Sequence, residues 1–257
     1  MKMIFMGRKV YAAEMLKWSV EKGIEIPLVC TDSQFSNSPT MKIAEQLGIP
    51  VVSMEEAEKY VETHPNEIDL VISYLYWRKI RKPLIVGPKY GCINFHPAIL
   101  PDWRGTAGYN IAILNKLPEW GATAHYVDEE IDTGSIIKVF KFNFDYRYET
   151  AQSLEKKTQS IQTELYKSVL LDVIEKGRLE STRQKAGDGV YISRNEMNEM
   201  KVLDIKNLDK EDIDLKIRAF WFPPYDGANI EVNGKRYTLI NEEILKSLQQ
   251  ENTTALA

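Results

Sequence analysis

Apolar positions in the first hundred residues fall into short unbroken runs, separated by longer stretches with helical periodicity. Residues 3–6, 26–30, 51–52, 70–73 and 92–95 are runs of the first kind and read as strands. Residues 10–21, 41–47 and 55–63 are of the second kind, with Met15, Leu16 and Val20 among the apolar positions of the first helix. Gly48 stops one of these helices, and His64-Pro65 ends another. Strands that are apolar along their whole length and alternate with helices predict an α/β fold, with a parallel-dominated sheet covered on both faces. Ligands of such sheets bind beyond the carboxyl ends of the strands.

After residue 94 the pattern changes. Residues 106–114 read as a helix. Residues 122–127 and 135–144 read as two strands joined by the acidic turn Asp128-Glu-Glu-Ile-Asp132. A long helix at 150–176 ends at Gly177. Gly187-Asp-Gly189 then punctuates the chain, followed by a helix at about 209–220 and the segment Trp221-Phe-Pro-Pro-Tyr225. Within 229–240, Asn233-Gly234 stands between alternating residues and predicts a β-hairpin. The chain is thus expected to form a catalytic domain at 1–182 and a small C-terminal α+β domain at 183–257. So small an appendage rarely folds alone, which predicts packing on the larger domain or on a second copy, hence a homodimer.

Composition narrows the classes. The 257 residues include 33 Lys and Arg against 37 Asp and Glu, a net charge of −4, with 44% hydrophobic and 27% charged residues. That is the make-up of a globular chain rather than a disordered one. An acidic chain is poorly suited to grip nucleic acid through phosphates, so no nucleic-acid partner is expected. No apolar run approaches the roughly 18–20 residues of a membrane helix, and no membrane partner is expected. The few apolar residues before Gly7-Arg8-Lys9 are too short for a secretory segment. Cys30 and Cys92 lie in apolar stretches, as in a thiol-containing cytoplasmic protein, and too few ligands accompany them for a metal cluster.

The densest chemical signal is Cys92-Ile-Asn-Phe-His-Pro-Ala-Ile-Leu-Pro-Asp-Trp-Arg-Gly105. Asn94 and His96 stand two apart on a strand, so their side chains point to the same side. Pro97 ends the ladder there. An imidazole can take up a proton near neutral pH, and an amide can donate to a developing oxyanion. The alternative is a satisfied histidine beside a turn. The second signal is Asp132-Thr-Gly134, where a carboxylate could orient an imidazolium; the alternative is a solvated acidic loop.

Gly7-Arg8-Lys9 opens a helix after the first strand, and Arg8 and Lys9 suit a pyrophosphate. Arg78 and Lys79, beyond the fourth strand, suit the same phosphates; for both pairs the alternative is a solvated basic turn. The absence of G-x-G-x-x-G counts against a dinucleotide dehydrogenase. Tyr76, Trp77 and Ile80 could line an apolar slot or pack on the helix layer. His125 could be core or site-lining, and Trp221 and Tyr225 could stack on a base or close a small core.

Asn94-Phe-His96, Leu100-Pro-Asp-Trp-Arg-Gly105 and Asp132-Thr-Gly134, taken together, resemble the core of the formyltransferase family that uses N10-formyltetrahydrofolate. The resemblance covers about residues 1–182 and implies a Rossmann-like formyltransferase domain. It implies that Asn94, His96 and Asp132 are catalytic, and that the folate lies near Tyr76, Trp77, Ile80 and Asp128. No metal is implied. Residues 74–80 and 217–228 resemble segments of the sugar N-formyltransferases, which implies a dTDP-linked amino sugar as acceptor and a role in bacterial surface polysaccharide. A methionyl-tRNA formyltransferase, or a non-catalytic sugar-nucleotide-binding module of the same fold, are the alternatives.

Overall fold

Alternate residues of a strand face opposite sides of its sheet, and β1 (Met3–Gly7) shows what that demands when both sides are covered. Met3 and Phe5 enter one apolar cluster with Ala12, Met15 and Leu16 of α1 (Lys9–Glu21). Ile4 and Met6 enter another with Met54, Ala57 and Val61 of α3 (Met54–Thr63). No position on such a strand can be polar, which is why its sequence is an unbroken apolar run. β4 (Leu70–Tyr74) and β5 (Cys92–His96) follow the same rule over most of their length and turn polar toward their carboxyl ends, at Ser73 and at Asn94 and His96. Leu70, Ile72, Ile93 and Phe95 face the first cluster, and Val71 and Cys92 face the second.

The structure is a computed structural model and describes residues 1–31, 38–106, 108–185, 187–204, 206 and 210–255. Between these strands run β2 (Val29–Cys30), α2 (Pro39–Gln46), β3 (Val51–Val52) and α4 (Lys82–Val86). β6 (Trp103–Gly105), α5 (Gly108–Leu114), β7 (Glu119–Tyr126), β8 (Ile136–Asn143) and α6 (Ala151–Lys176) follow. The chain continues through β9 (Val190–Ile192), α7 (Arg194–Met200), α8 (Lys210–Phe220), β10 (Asn229–Val232), β11 (Lys235–Thr238) and α9 (Glu242–Ala255). The main sheet has the order β3-β2-β1-β4-β5-β7-β8. Pairing is parallel from β3 to β5, and β7 joins β5 antiparallel. The fold is the Rossmann-like, parallel-dominated architecture expected.

Two compact units interleave along the chain. The first comprises Met1–Arg104, Gly121–Lys141 and Thr158–Val190; the second comprises Gly105–Trp120, Phe142–Lys157 and Tyr191–Ala257. In the first, Leu165, Tyr166, Val169, Leu170 and Val173 of α6 cover the β1 and β5 face. In the second, the buried carboxylate of Glu149 accepts from Lys157 and Ser153, and Arg218 donates to Asp214 at 2.8 Å and to the Glu149 carbonyl at 3.1 Å. The hairpin β10–β11 is as expected: Asn233 and Gly234 both take left-handed φ, 50° and 71°, as a two-residue hairpin turn requires.

The differences lie at short elements. Of the strand expected at 26–30 only Val29–Cys30 pairs, since Pro27 carries no N–H for a ladder. β6, β9 and α4 are three to five residues long, too short to show a period. Asp209, the expected start of a helix, lies outside the described residues, and α8 runs from Lys210. Among the described residues no helix is long and apolar enough to cross a membrane.

Candidate active site

Asn94 and His96 share a face of β5, and the antiparallel register sets His125 of β7 directly opposite Asn94. Directly opposed residues of an antiparallel pair project to the same side. Three polar side chains therefore gather at the carboxyl end of β5, the end where an α/β sheet holds its ligands. The backbone after β5 is fixed from several directions. Thr123 Oγ1 donates to the Ala98 carbonyl at 2.7 Å and accepts from the Leu100 N–H at 3.0 Å. Gln162 of α6 donates to the Phe95 carbonyl at 2.6 Å.

The hydrogen bonds define the tautomers. His125 Nδ1 donates to the Tyr126 carbonyl at 2.8 Å, so Nε2 is the acceptor, and Asn94 Nδ2 donates to it at 3.1 Å. An amide nitrogen carries two hydrogens, so one remains for a ligand. His96 Nε2 donates to the Trp103 carbonyl at 3.0 Å. Its Nδ1 lies 3.5 Å from Asp132 Oδ2, and Asp132 Oδ1 lies 3.5 Å from His125 Nε2. One carboxylate thus faces both imidazoles. Asp132 sits at φ 57°, left-handed for a residue with a side chain. Thr133 Oγ1 donates to Asp128 Oδ1 at 2.6 Å, and a Cβ on Gly134 would lie 1.7 Å from the Tyr126 carbonyl oxygen. Only glycine lets the turn close this tightly.

His96 is 7% exposed, and burial pushes its pKa below the usual 6.5; the Asp132 charge and the Trp103 carbonyl oppose that push, and His125 adds to it. Both ring nitrogens face oxygens that favour the imidazolium, while the apolar surround favours the neutral ring. A histidine balanced in this way exchanges a proton readily.

The structure brings Asn94, His96 and Asp132 together and adds His125, which sequence reasoning left open. Its signal was the alternation with Thr123 and Val127; the missing information was the register against β5. The other expected residues lie around β1 and β4. Arg8 Nε donates to the Leu75 carbonyl at 2.8 Å, tying the end of β1 to the segment after β4. Lys9 takes φ 68° and its carbonyl accepts from Thr40 at 3.1 Å. Arg78 donates to both carboxylate oxygens of Glu55, at 2.6 and 3.3 Å, and Lys79 is exposed. Trp77 is 48% exposed, whereas Tyr76 and Ile80 pack on the second apolar cluster. Asp128 caps its own turn, accepting from Glu130 N at 3.2 Å as well as from Thr133. Among the described residues no group of His, Cys, Asp and Glu is arranged to hold a metal ion.

An amide donor, a titrating imidazole and an orienting carboxylate at the end of a parallel sheet make a site suited to acyl-group transfer. The chain belongs to the formyl transferase family, whose family model matches residues 6–170, and its activity is N-formyl transfer. It is 28% identical over 262 residues to the methionyl-tRNA formyltransferase of Thermotoga neapolitana, covering 98% of this chain and 82% of that one. Solved structures that share the fold include the following two. An N-formyltransferase from Helicobacter canadensis, in complex with folinic acid and dTDP-3-aminofucose, matches with TM-score 0.75 at 24% identity, over 94% of this chain and 89% of that one. A 4-N formyltransferase from Francisella tularensis matches with TM-score 0.78 at 21% identity, over 94% and 97%.

Proposed function

We propose that the chain transfers the formyl group of N10-formyltetrahydrofolate to the amine of a nucleotide-linked sugar. The acceptor is a dTDP-linked amino-dideoxyhexose, such as dTDP-4-amino-4,6-dideoxyglucose or its 3-amino analogue. The setting is the cytoplasmic synthesis of bacterial surface polysaccharide (O antigen). The observation that carries this reading is the meeting of Asn94, His96 and Asp132 at the end of β5, in a chain of this family. The Helicobacter canadensis structure, with a folate and a dTDP-amino sugar, supports the choice of substrates.

The folate derivative supplies an activated amide carbonyl, and attack by an unprotonated amine places negative charge on its oxygen. Asn94 donates its second N–H to that oxygen, and His96 joins it by releasing the Trp103 carbonyl; one well-placed donor is worth roughly 3–4 kcal/mol of barrier. His96, or a water it holds with Asp132, takes the proton from the attacking nitrogen and delivers it to the departing N10. Such transfer contributes about 10²–10⁴-fold. Asp132 orients the imidazole and favours its charged form. His125 holds the Asn94 amide through Nε2. Trp77, Tyr76, Ile80 and Asp128 are assigned to the pterin. Arg8, Lys9, Arg78 and Lys79 provide positive charge for the diphosphate, and no metal takes part. The working form is a homodimer.

A mass-spectrometric screen tests the reading: enzyme, N10-formyltetrahydrofolate and a panel of nucleotide-linked amino sugars, scored for a product heavier by one formyl group. No product from any member would refute it. A second reading, methionyl-tRNA formyl transfer, is favoured by the match to the Thermotoga neapolitana enzyme over almost the whole chain. It requires tRNA affinity that falls steeply with salt; no tRNA binding at low salt would remove it.

A further inference from the structure

The Asp132 turn is strained and must be held from outside, and one side chain does so from 50 positions downstream. Gln184 Nε2 donates to the Asp132 carbonyl at 3.0 Å and to the Gly134 carbonyl at 2.7 Å. A primary amide has two N–H groups, and each finds one carbonyl of the turn. The orientation is unambiguous, because the opposite one would set an oxygen against two oxygens. Gln184 Oε1 is buried and has no hydrogen-bond partner among the described residues, so the contact that defines this side chain is its grip on the turn. Its own backbone is anchored nearby. Thr182 and Ile136 exchange N–H···O bonds of 2.8 Å each, and Lys185 N donates to Asp188 at 3.1 Å.

We propose that Gln184 is a positioning residue for formyl transfer: by bridging the carbonyls on either side of Thr133 it holds the Asp132 carboxylate against the imidazole of His96. This deepens the functional reading above, and its kinetic arm rests on that reading. Gln184 touches no reacting atom. It acts on the distance between Asp132 Oδ2 and His96 Nδ1, now 3.5 Å. The titratable groups facing His96 are Asp132 and His125, with the Trp103 carbonyl on the far nitrogen. Of these, only Asp132 lies on the segment Gln184 holds.

The test is a nitrogen-detected NMR titration of the His96 imidazole in the full-length chain, wild type and Gln184→Leu, each repeated in an Asp132→Asn background. Gln184→Leu keeps the bulk and removes both donors. It should lower the His96 pKa, because the carboxylate that favours the charged ring withdraws, and should add no shift when Asp132 is already Asn. Turnover should fall by up to about a hundredfold, with the KM of the amine acceptor little changed. A folded Gln184→Leu protein with an unmoved His96 titration overturns the proposal, as does an equal shift in the Asp132→Asn background. If Gln184→Leu does not fold, hydrogen exchange of the wild-type side-chain amide decides: slow exchange of both Gln184 N–H groups supports the bridge, and fast exchange overturns it. If the wild type formylates no amine, the functional reading fails, while the titration still decides the role of Gln184.

Discussion

Two charge clusters flank the sheet of the first unit, and they differ in how much water reaches them. At the end of β5, Asp132 faces His96 and His125 with the Asp132 and His96 side chains only 11% and 9% exposed. Beyond β4, Arg78 and Arg81 meet Glu55 and Glu58 of α3 at 2.6–2.9 Å, yet Glu55 is 51% exposed. The second cluster has shorter contacts and more of them. The first has longer contacts in a medium that strengthens each charge effect. Short distance marks the pairs that are satisfied; burial with incomplete neutralisation marks the group that can be driven between two protonation states.

The comparison breaks first if the buried cluster is not the reactive one. Asn94→Ala, His96→Asn and Asp132→Asn should each lower kcat by at least about 100-fold, and near-wild-type turnover in steady-state assays would remove the role given to that residue. Gly134→Ala comes next. Its new methyl would drive into the Tyr126 carbonyl, so the turn must shift, at a cost of about 1–3 kcal/mol in urea unfolding and with a loss of kcat approaching that of Asp132→Asn.

Arg78→Ala should raise the KM for the nucleotide-linked substrate by about tenfold, the effect of losing one charge-assisted contact, with kcat little altered. Its guanidinium already holds Glu55, so Glu55→Gln should lower that KM if the carboxylate competes with the diphosphate.

The clusters should also lose stability in different pH windows. His96 has a folded-state pKa depressed below 6.5, so between that value and 6.5 the unfolded chain binds more protons than the folded one. Stability is full above 6.5 and is lost as pH falls toward the depressed value; His96→Gln should flatten that slope in urea melts at stepped pH. Glu55, held down from 4.5 to about 2 chiefly by Arg78, contributes above 4.5 and loses its contribution only as pH falls toward 2. The smallest effect belongs here: the Tm change of Glu55→Gln should shrink with added salt, since exposed pairs are screened, whereas the His96 slope should persist.

Legibility followed burial and local chemistry. β1, β4 and β5 were visible because strands covered on both faces are apolar along most of their length. The hairpin was visible because Asn233-Gly234 accepts two left-handed residues in succession. Asn94 and His96 were visible as a pair because alternation along one strand is a local rule. His125 was not, because its place opposite Asn94 depends on a register between strands 31 positions apart, which no local pattern encodes. Arg78 was legible as a cation after β4, but its partner Glu55 lies 23 positions earlier on another element. Gln184 carried no signal at all: a glutamine in a loop is ordinary until the carbonyls it bridges are known.

The antiparallel pairing of β7 with β5 has a consequence for how the molecule assembles. Because the chain returns beside β5 as its next main-sheet strand, Asn94, His96, His125 and Asp132 all come from the single stretch between Cys92 and Gly134. By contrast, β1 meets β4 across 67 positions, as in the pairing of Met3 with Leu70. Closing the shorter span costs less chain entropy. These side chains are therefore laid down within one stretch of synthesis, and the residue that grips the Asp132 turn, Gln184, arrives later from downstream.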